Sequence, residues 1–217
     1  MTQDFLSVTG MVLKTVPVGE YDRRVVILTT EMGKISAFAK SARKPNSHLV
    51  AATNPFSFGK FRLYTGRSSY NIIEADITNY FEELREDFVS AYYGMYFLEI
   101  SDYYSRENND EKEQLKLLYQ SMRALCSPKL ENQLIRAIFE IKSIVVNGEF
   151  PGIPTKNNFQ ESTLYAIQYI VESSIEKLYT FHVSPEVLQE LSRVSDYYRK
   201  MMMDHKFLSL EVLDSLL

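Results

Sequence analysis

The hydrophobic period of this chain changes near residue 80, and that change limits the folds open to it. Before residue 80, apolar and polar residues alternate, as in the segment Lys34–Lys40, where every second residue from Ile35 to Ala39 is apolar. A period of two is typical of a half-buried β-strand. After residue 80, apolar residues recur at helical spacing, as in Phe81, Leu84 and Phe88. The chain is therefore predicted to be α+β, with a β domain over residues 1–79 and a helical domain over 80–217.

Five strands are predicted in the first domain. The segments are Val8–Val16, Val25–Leu28, Lys34–Lys40, Phe56–Tyr64 and Tyr70–Ile77. Gly33 suits a tight hairpin connection, since glycine readily adopts positive φ. Apolar parity changes at Gly59, which indicates a β-bulge or a sharp bend. Five short, bent strands with a break after the third fit a small closed barrel of the OB type.

Two Ser-Pro pairs are predicted to begin helices in the second domain. They are Ser127-Pro128 and Ser184-Pro185, each followed by apolar residues at helical spacing. Serine can accept a hydrogen bond from a free N–H of the first turn, and proline is tolerated there because its missing N–H costs nothing. The helix after the first pair is expected to stop near Gly148.

Charge is distributed unevenly between the two domains. Residues 1–80 contain ten Lys or Arg and six Asp or Glu, whereas the remainder contains 14 and 22, so the net charges are +4 and −8. Residues 23–67 hold nine basic residues against one acid, Glu31. A basic segment in an acidic protein points to a nucleic-acid partner. The competing interpretation is a basic loop that serves solubility alone.

Catalytic and metal-binding patterns are missing from the sequence. The single cysteine, Cys126, excludes an internal disulfide and a Cys-rich zinc site, and the three histidines are not at metal-ligand spacing. No phosphate-binding glycine loop and no nucleophile elbow occur. We therefore predict no enzymatic activity and no cofactor. No apolar run approaches the ~20 residues of a membrane span, and Met1–Val8 does not resemble a signal peptide, so a cytoplasmic location is expected.

The third predicted strand and the loop after it carry the first candidate DNA-binding residues. If Ile35, Ala37 and Ala39 fill the barrel, the opposite face presents residues that can attract phosphate and stack on a base, namely Lys34, Phe38 and Lys40. The competing interpretation has Phe38 packed against the helical domain. The polar loop 41–48 adds Arg43 and Lys44.

The fourth strand and the turn after it carry the remaining candidates. Lys60 and Arg62 have the parity opposite to that of Phe61 and Leu63, and Arg67 lies in the following turn. Nothing in the chain resembles a base-reading helix, so these cations are expected to contact the DNA backbone with little sequence preference.

Several motifs of the first 80 residues resemble the N-terminal domain of the RecO family of bacterial recombination mediators. They are Gly10–Thr15, Gly19–Arg23, Leu28–Ile35, Ala39–Ser47 and Pro55-Phe56, in this order and spacing. In the helical half, Asn147–Pro154 and His205–Ser209 are similar to the family pattern.

The resemblance implies a set of functions and partners. It implies an OB-fold domain joined to a helical domain, binding of single- and double-stranded DNA, and annealing of complementary strands. It also implies work beside RecR to load RecA onto DNA coated by the single-strand-binding protein SSB, with RecF as a further candidate partner and a nucleoid-associated location. Lys34, Lys40, Arg43 and Lys44 match the family's basic strand and loop. Residues 20–22 match as well and are interpreted as a structural turn.

One departure from the family concerns zinc. Many relatives carry a four-cysteine zinc module after the Gly-x-x-Pro loop, whereas here Pro154 runs into Thr155–Gln160 without a cysteine. Zinc is therefore expected to be absent. A second hypothesis of a different class also stays open, namely an adaptor whose barrel binds a protein partner and for which DNA is incidental.

Overall fold

The first half of the chain forms a closed five-stranded barrel. The structure is a computed structural model that describes residues 5–66, 69–154 and 159–216. The strands are β1 (Phe5–Val18), β2 (Asp22–Thr29), β3 (Gly33–Ala39), β4 (Phe58–Thr65) and β5 (Tyr70–Asn79). They close in the order β1-β2-β3-β5-β4, with every pairing antiparallel except β3 with β5. This is the predicted OB fold, and the α+β fold class is confirmed.

The alternating parity of the strands determines which side chains fill the barrel. Ile35, Ala37 and Ala39 of β3 are buried in the core, together with Phe61 and Leu63 of β4. The parity predicted from the sequence is therefore confirmed on both strands. A four-residue helix, α1 (Leu49–Ala52), lies between β3 and β4 in the chain.

The two glycines singled out in the sequence have the predicted roles. Gly33 follows the β2–β3 turn with a φ of +65°. Gly59 lies at a register shift between β4 and β5, and a Cβ atom there would be 2.2 Å from the carbonyl oxygen of Asp76. Glycine at residue 59 therefore allows the two backbones to approach closely where the barrel bends.

The remaining helices follow the barrel in the chain. They are α2 (Phe88–Tyr104), α3 (Lys112–Leu125), α4 (Asn132–Val146), α5 (Glu161–Glu172), α6 (Pro185–Met202) and α7 (Leu208–Leu216), with short 3₁₀ helices at Glu82–Arg85 and Ile175–Lys177. None of the helices described is both long and apolar enough to cross a membrane.

The two Ser-Pro pairs behave differently. Ser184 caps α6, because its side chain accepts a hydrogen bond from the N–H of Val187, and Pro185 is the first helical residue. The prediction for Ser127-Pro128 is wrong, since α4 begins at Asn132. The N–H of Ser127 is bonded to the carbonyl of Ala124, so this serine lies in the turn after α3 and not at the start of the next helix. The predicted stop near Gly148 is confirmed, with φ at +73°.

The chain divides into two compact units that do not follow the order of the sequence. One unit is the barrel through Glu82 together with Leu98–Leu115, and the other is Glu83–Phe97 with Lys116–Leu217. Within the first unit, the segment after α2 docks on the β2–β3 hairpin. The N–H of Lys34 donates to the carbonyl of Arg106, and the N–H of Asn108 donates to that of Met32.

The second unit contains a buried carboxylate, Glu140 of α4, which is 1% exposed. It accepts hydrogen bonds from the Tyr96 hydroxyl at 2.6 Å and the Arg136 Nε at 2.9 Å, and from Ser195 of α6. Burial, and then the nearby Glu140 charge, raise the pKa of Tyr96 well above its usual value, so this hydroxyl stays protonated and donates. A buried charge that is paired and hydrogen-bonded in this way joins three helices of the unit.

Candidate nucleic-acid interface

Two connections meet at one end of the barrel. The β1–β2 turn follows the pair Val18–Asp22, and β3 ends opposite the start of β2. The register therefore brings the basic loop 40–48 to the same end as the β1–β2 turn.

The basic loop is held rigidly by the β1–β2 turn. Ser41 has a φ of +56°, and its N–H donates to Asp22 Oδ1 at 2.7 Å. The N–H of Arg43 donates to the carbonyl of Tyr21 at 2.9 Å. Between them, Ala42 is fully buried in the barrel core. The sequence motif at residues 20–22 thus serves as the structural turn that was predicted, and it fixes the loop's backbone.

The side chains of this loop point to solvent. Lys40, Arg43 and Lys44 are all exposed. Arg43 makes a 3.3 Å hydrogen bond to the carbonyl of Gly19, and the Lys44 ammonium lies 5.0 Å from the centre of the Tyr21 ring. These are weak, solvated contacts, so the three charges are available to phosphate. We call Lys40, Arg43 and Lys44 the basic triad.

Two other cations of the basic segment are used inside the fold. Lys34 Nζ lies 2.8 Å from Asp102 Oδ1 at the far end of β3, and only 24% of its side chain is exposed. Arg23 Nη1 donates to the carbonyl of Val50 and to the side chains of Thr53 and Asn54. Burial, and then repulsion from Arg43, lower the pKa of the Arg23 guanidinium, which nevertheless stays charged. Lys34 was a predicted DNA contact; the structure pairs its ammonium with Asp102, and its DNA role stays a prediction.

Lys60 and Arg62 lie on a different part of the barrel from the basic triad. Both are exposed on β4, as predicted, but β5 separates β4 from β3. They face Asp76 and Glu74 across the β4–β5 pairing, and Arg62 is 3.7 Å from Glu74. The two acids offset much of the positive charge of Lys60 and Arg62. Arg67 lies outside the described residues.

Phe38 and Arg24 occupy neighbouring positions on the outer face of the barrel. Phe38 is half-buried and pairs with Arg24 on β2 and with Asn71 on β5. Sequence reasoning missed Arg24, although parity could have found it. Val25 and Ile27 point into the core, so Arg24 must point outward, next to β3.

The Gly-x-x-Pro loop of the helical unit is held by ordinary packing. The Tyr198 hydroxyl of α6 donates to the carbonyl of Gly152 at 2.7 Å, and its ring packs against Phe150 at 5.7 Å. Burial, with a smaller effect of Tyr197, raises the pKa of Tyr198 to about 12. Residues 155–158, where the family resemblance would place a zinc module, lie outside the described residues. With one cysteine in the sequence, the donor set does not fit a four-cysteine zinc site.

The barrel and the helical half each match a family model. Residues 1–81 match the model described as "Recombination protein O N terminal", and residues 85–152 match "Recombination protein O C terminal". These two matches, to a barrel and to the helical region that follows it, define a protein of recombinational DNA repair. The chain belongs to the RecO family.

Relatives confirm this over nearly the whole chain. It is 29% identical to the DNA repair protein RecO of Acetivibrio thermocellus, covering 98% of both chains. It is 26% identical to the DNA repair protein RecO of Clostridium novyi, covering 100% of this chain and 97% of that one. The corresponding protein of Alkaliphilus metalliredigens is 27% identical, with coverages of 94% and 96%.

Proposed function

We propose that this chain is a recombination mediator that binds single- and double-stranded DNA and anneals complementary strands. In this proposal it helps load RecA onto SSB-coated DNA together with RecR. The observation that carries the proposal is the basic triad, which is exposed on a loop whose backbone is fixed by Asp22, Tyr21 and the buried Ala42. A preorganised set of cations loses little conformational entropy when it binds phosphate. Membership of the RecO family supports the biological setting.

Annealing follows from charge neutralisation. Two DNA strands repel each other through their phosphates, and Lys or Arg side chains on each strand lower that repulsion and release counterions. The base pairs that form then supply the driving force, so no nucleotide hydrolysis and no catalytic residue are required. The triad contacts phosphate and not base edges, which makes the binding tolerant of sequence.

The acidic helical half is proposed to bind the protein partners. Residues 81–217 carry a net charge of −8, which disfavours DNA. Large exposed side chains lie on this half, among them Tyr165 at 70% and Leu208 at 65%, and such residues are frequent at protein interfaces. We assign RecR and SSB to this half, keep RecF as a further candidate, and place the protein in the cytoplasm beside the nucleoid.

Titration of labelled single-stranded DNA at several salt concentrations tests the DNA-binding proposal. Three phosphate contacts by the triad predict that log K falls with log salt with a slope of about −2. Fluorescence anisotropy gives the slope directly, and repeating the titration with SSB already on the DNA tests the mediator role. Negligible affinity, or affinity indifferent to salt, would instead favour the protein-binding adaptor.

We also propose that the fold needs no zinc. Proteins that depend on a structural zinc unfold when a chelator removes it. We expect incubation with EDTA to leave the thermal unfolding midpoint of this chain unchanged. A decrease of the midpoint that added zinc reverses would contradict the proposal.

A further inference from the structure

One row of side chains winds around the outer surface of the barrel from strand to strand. The register pairs each member with the next, in the order Arg24, Phe38, Asn71, Tyr64, Phe5. These five residues come from β2, β3, β5, β4 and β1, so the row visits every strand. We call them the aromatic row, because three of the five are aromatic.

The row lies on the solvent side of the barrel. The residues adjacent in sequence to its members include Ala37, Leu63 and Ile72, which point into the barrel core. Side chains alternate across a strand, so the row must point outward. Phe5 is 43% exposed, and Phe38, Asn71 and Tyr64 are half-buried.

The rings and charges of the row have fixed positions. The Phe5 and Tyr64 ring centroids are 6.2 Å apart with the planes tilted by 56°. At this end the Arg62 guanidinium lies 4.7 Å from the centre of the Phe5 ring. At the other end Arg24 Nε donates to Ser36 Oγ at 2.8 Å, which holds its guanidinium against β3. No member of the row is acidic. Arg24 is the cation at one end, whereas Arg62, beside the other end, is 3.7 Å from Glu74.

This arrangement has the chemistry of a site for unpaired bases. Every base has a face that can stack on an aromatic ring, whereas Arg24 can attract the phosphates between bases. In a duplex, the faces of the bases are covered by their neighbours and only their edges reach the grooves. Rings on a surface can therefore stack on the bases of a single strand and not on those of a duplex.

We propose that the aromatic row is a stacking track for single-stranded DNA, by which the barrel distinguishes a single strand from a duplex. The proposal rests on the DNA-binding function proposed above and adds a second kind of contact to it. The basic triad binds backbone in either form of DNA, and the aromatic row binds bases only when they are unpaired.

Three labelled ligands of equal length test the track: oligothymidylate, a strand of abasic sites with the same number of phosphates, and a duplex. We expect the protein to bind oligothymidylate about tenfold or more tightly than the abasic strand, because each stacked base adds affinity. The double variant Phe38→Leu with Tyr64→Leu should bind oligothymidylate no better than the abasic strand. Its affinity for the duplex should not change.

The controls separate stacking from folding and from charge. Tyr165→Leu removes an exposed ring from the helical half and should alter none of the three affinities. Phe5→Leu removes the most exposed aromatic ring of the row and should lower the affinity for oligothymidylate. This single variant tests the track if the double variant does not fold.

Two results would overturn the track. One is equal, salt-sensitive binding of oligothymidylate and the abasic strand by the unmodified protein, which would leave the proposed DNA-binding function intact. The other is a parallel fall of single-strand and duplex affinity in a folded variant. Failure to bind any of the three ligands would instead remove the DNA-binding function itself.

Discussion

Reversing two charges of the basic triad, Lys40→Glu with Arg43→Glu, is expected to lower DNA affinity about 100-fold and to abolish strand annealing at low salt. The double reversal changes the charge that faces the phosphates by four units. Each unit within about 4 Å of a phosphate is worth about 1 kcal/mol in water. Counterions screen part of this, and a remaining 2–3 kcal/mol corresponds to roughly 100-fold.

The fold should tolerate this double reversal. Lys40 and Arg43 are exposed, and the loop is held by backbone N–H groups and not by these side chains. The matched control is Arg123→Glu with Lys129→Glu, which makes the same charge change at two exposed residues of the helical half. Anisotropy titrations and a fluorescence annealing assay measure both variants. Annealing that survives in the Lys40 and Arg43 variant, or is lost equally in the control, would show that the DNA site lies elsewhere.

Replacing the buried carboxylate by Glu140→Ala is expected to lower the free energy of unfolding of the helical unit by about 3 kcal/mol. The change leaves the Tyr96 hydroxyl and the Arg136 guanidinium without their buried acceptor. Removing one partner of a buried pair costs more than the pair itself contributes, since the other charge stays buried. Asp196 lies 3.7 Å from Arg136 and limits the loss, which places the value at the low end of the range for such changes.

Urea unfolding followed by the helical circular dichroism signal measures this loss. Glu140→Gln keeps the shape and one acceptor oxygen and should give a smaller decrease. Glu172→Ala, at an exposed acid that accepts a hydrogen bond from Gln168 within its own helix, should change the stability by about 0.5 kcal/mol or less. A loss of similar size in Glu140→Ala and Glu172→Ala would mean that the Glu140 cluster contributes nothing specific.

The barrel could be predicted because the alternation of apolar and polar residues within each strand shows which side chains are buried. Parity alone assigned Ile35, Ala37, Phe61 and Leu63 to the interior, and a single change of parity located the bend at Gly59. A one-residue shift would move a whole strand face into water, so the register is strongly specified wherever one face is buried. The family motifs in the first 80 residues also implied an OB-fold domain.

The helix starts show the limit of local signals. Ser127 and Ser184 are both followed by proline, yet only Ser184 caps a helix. Ser127 lies instead in the turn that follows α3, where its N–H is bonded to the carbonyl of Ala124. A capping motif competes with the helix before it, and the outcome depends on where that helix ends.

The candidate site was harder to predict because no repeating sequence pattern shows which cations are paired with acids in the fold. In the sequence, Lys34 and Lys40 are equivalent candidates on one face of the same strand. In the structure, Lys34 pairs with Asp102, an acid far along the chain. Lys60 and Arg62 likewise meet Glu74 and Asp76 only because β5 lies between β3 and β4. Which cations remain available is decided by tertiary neighbours.

The five strand pairings that close the barrel differ in length, and the pairing of β3 with β5, which we call the seam, is the shortest among the described residues. Among the described residues, β3 and β5 share two paired positions, Ala37 with Tyr70 and Phe38 with Asn71, whereas each of the other four pairings has seven or eight. Local opening of a fold begins where the fewest contacts must break. A ligand that lies across Phe38 and Asn71 would bridge this seam. Binding and closure of the barrel would then be thermodynamically linked, so that occupancy slows amide exchange along β3 and β5.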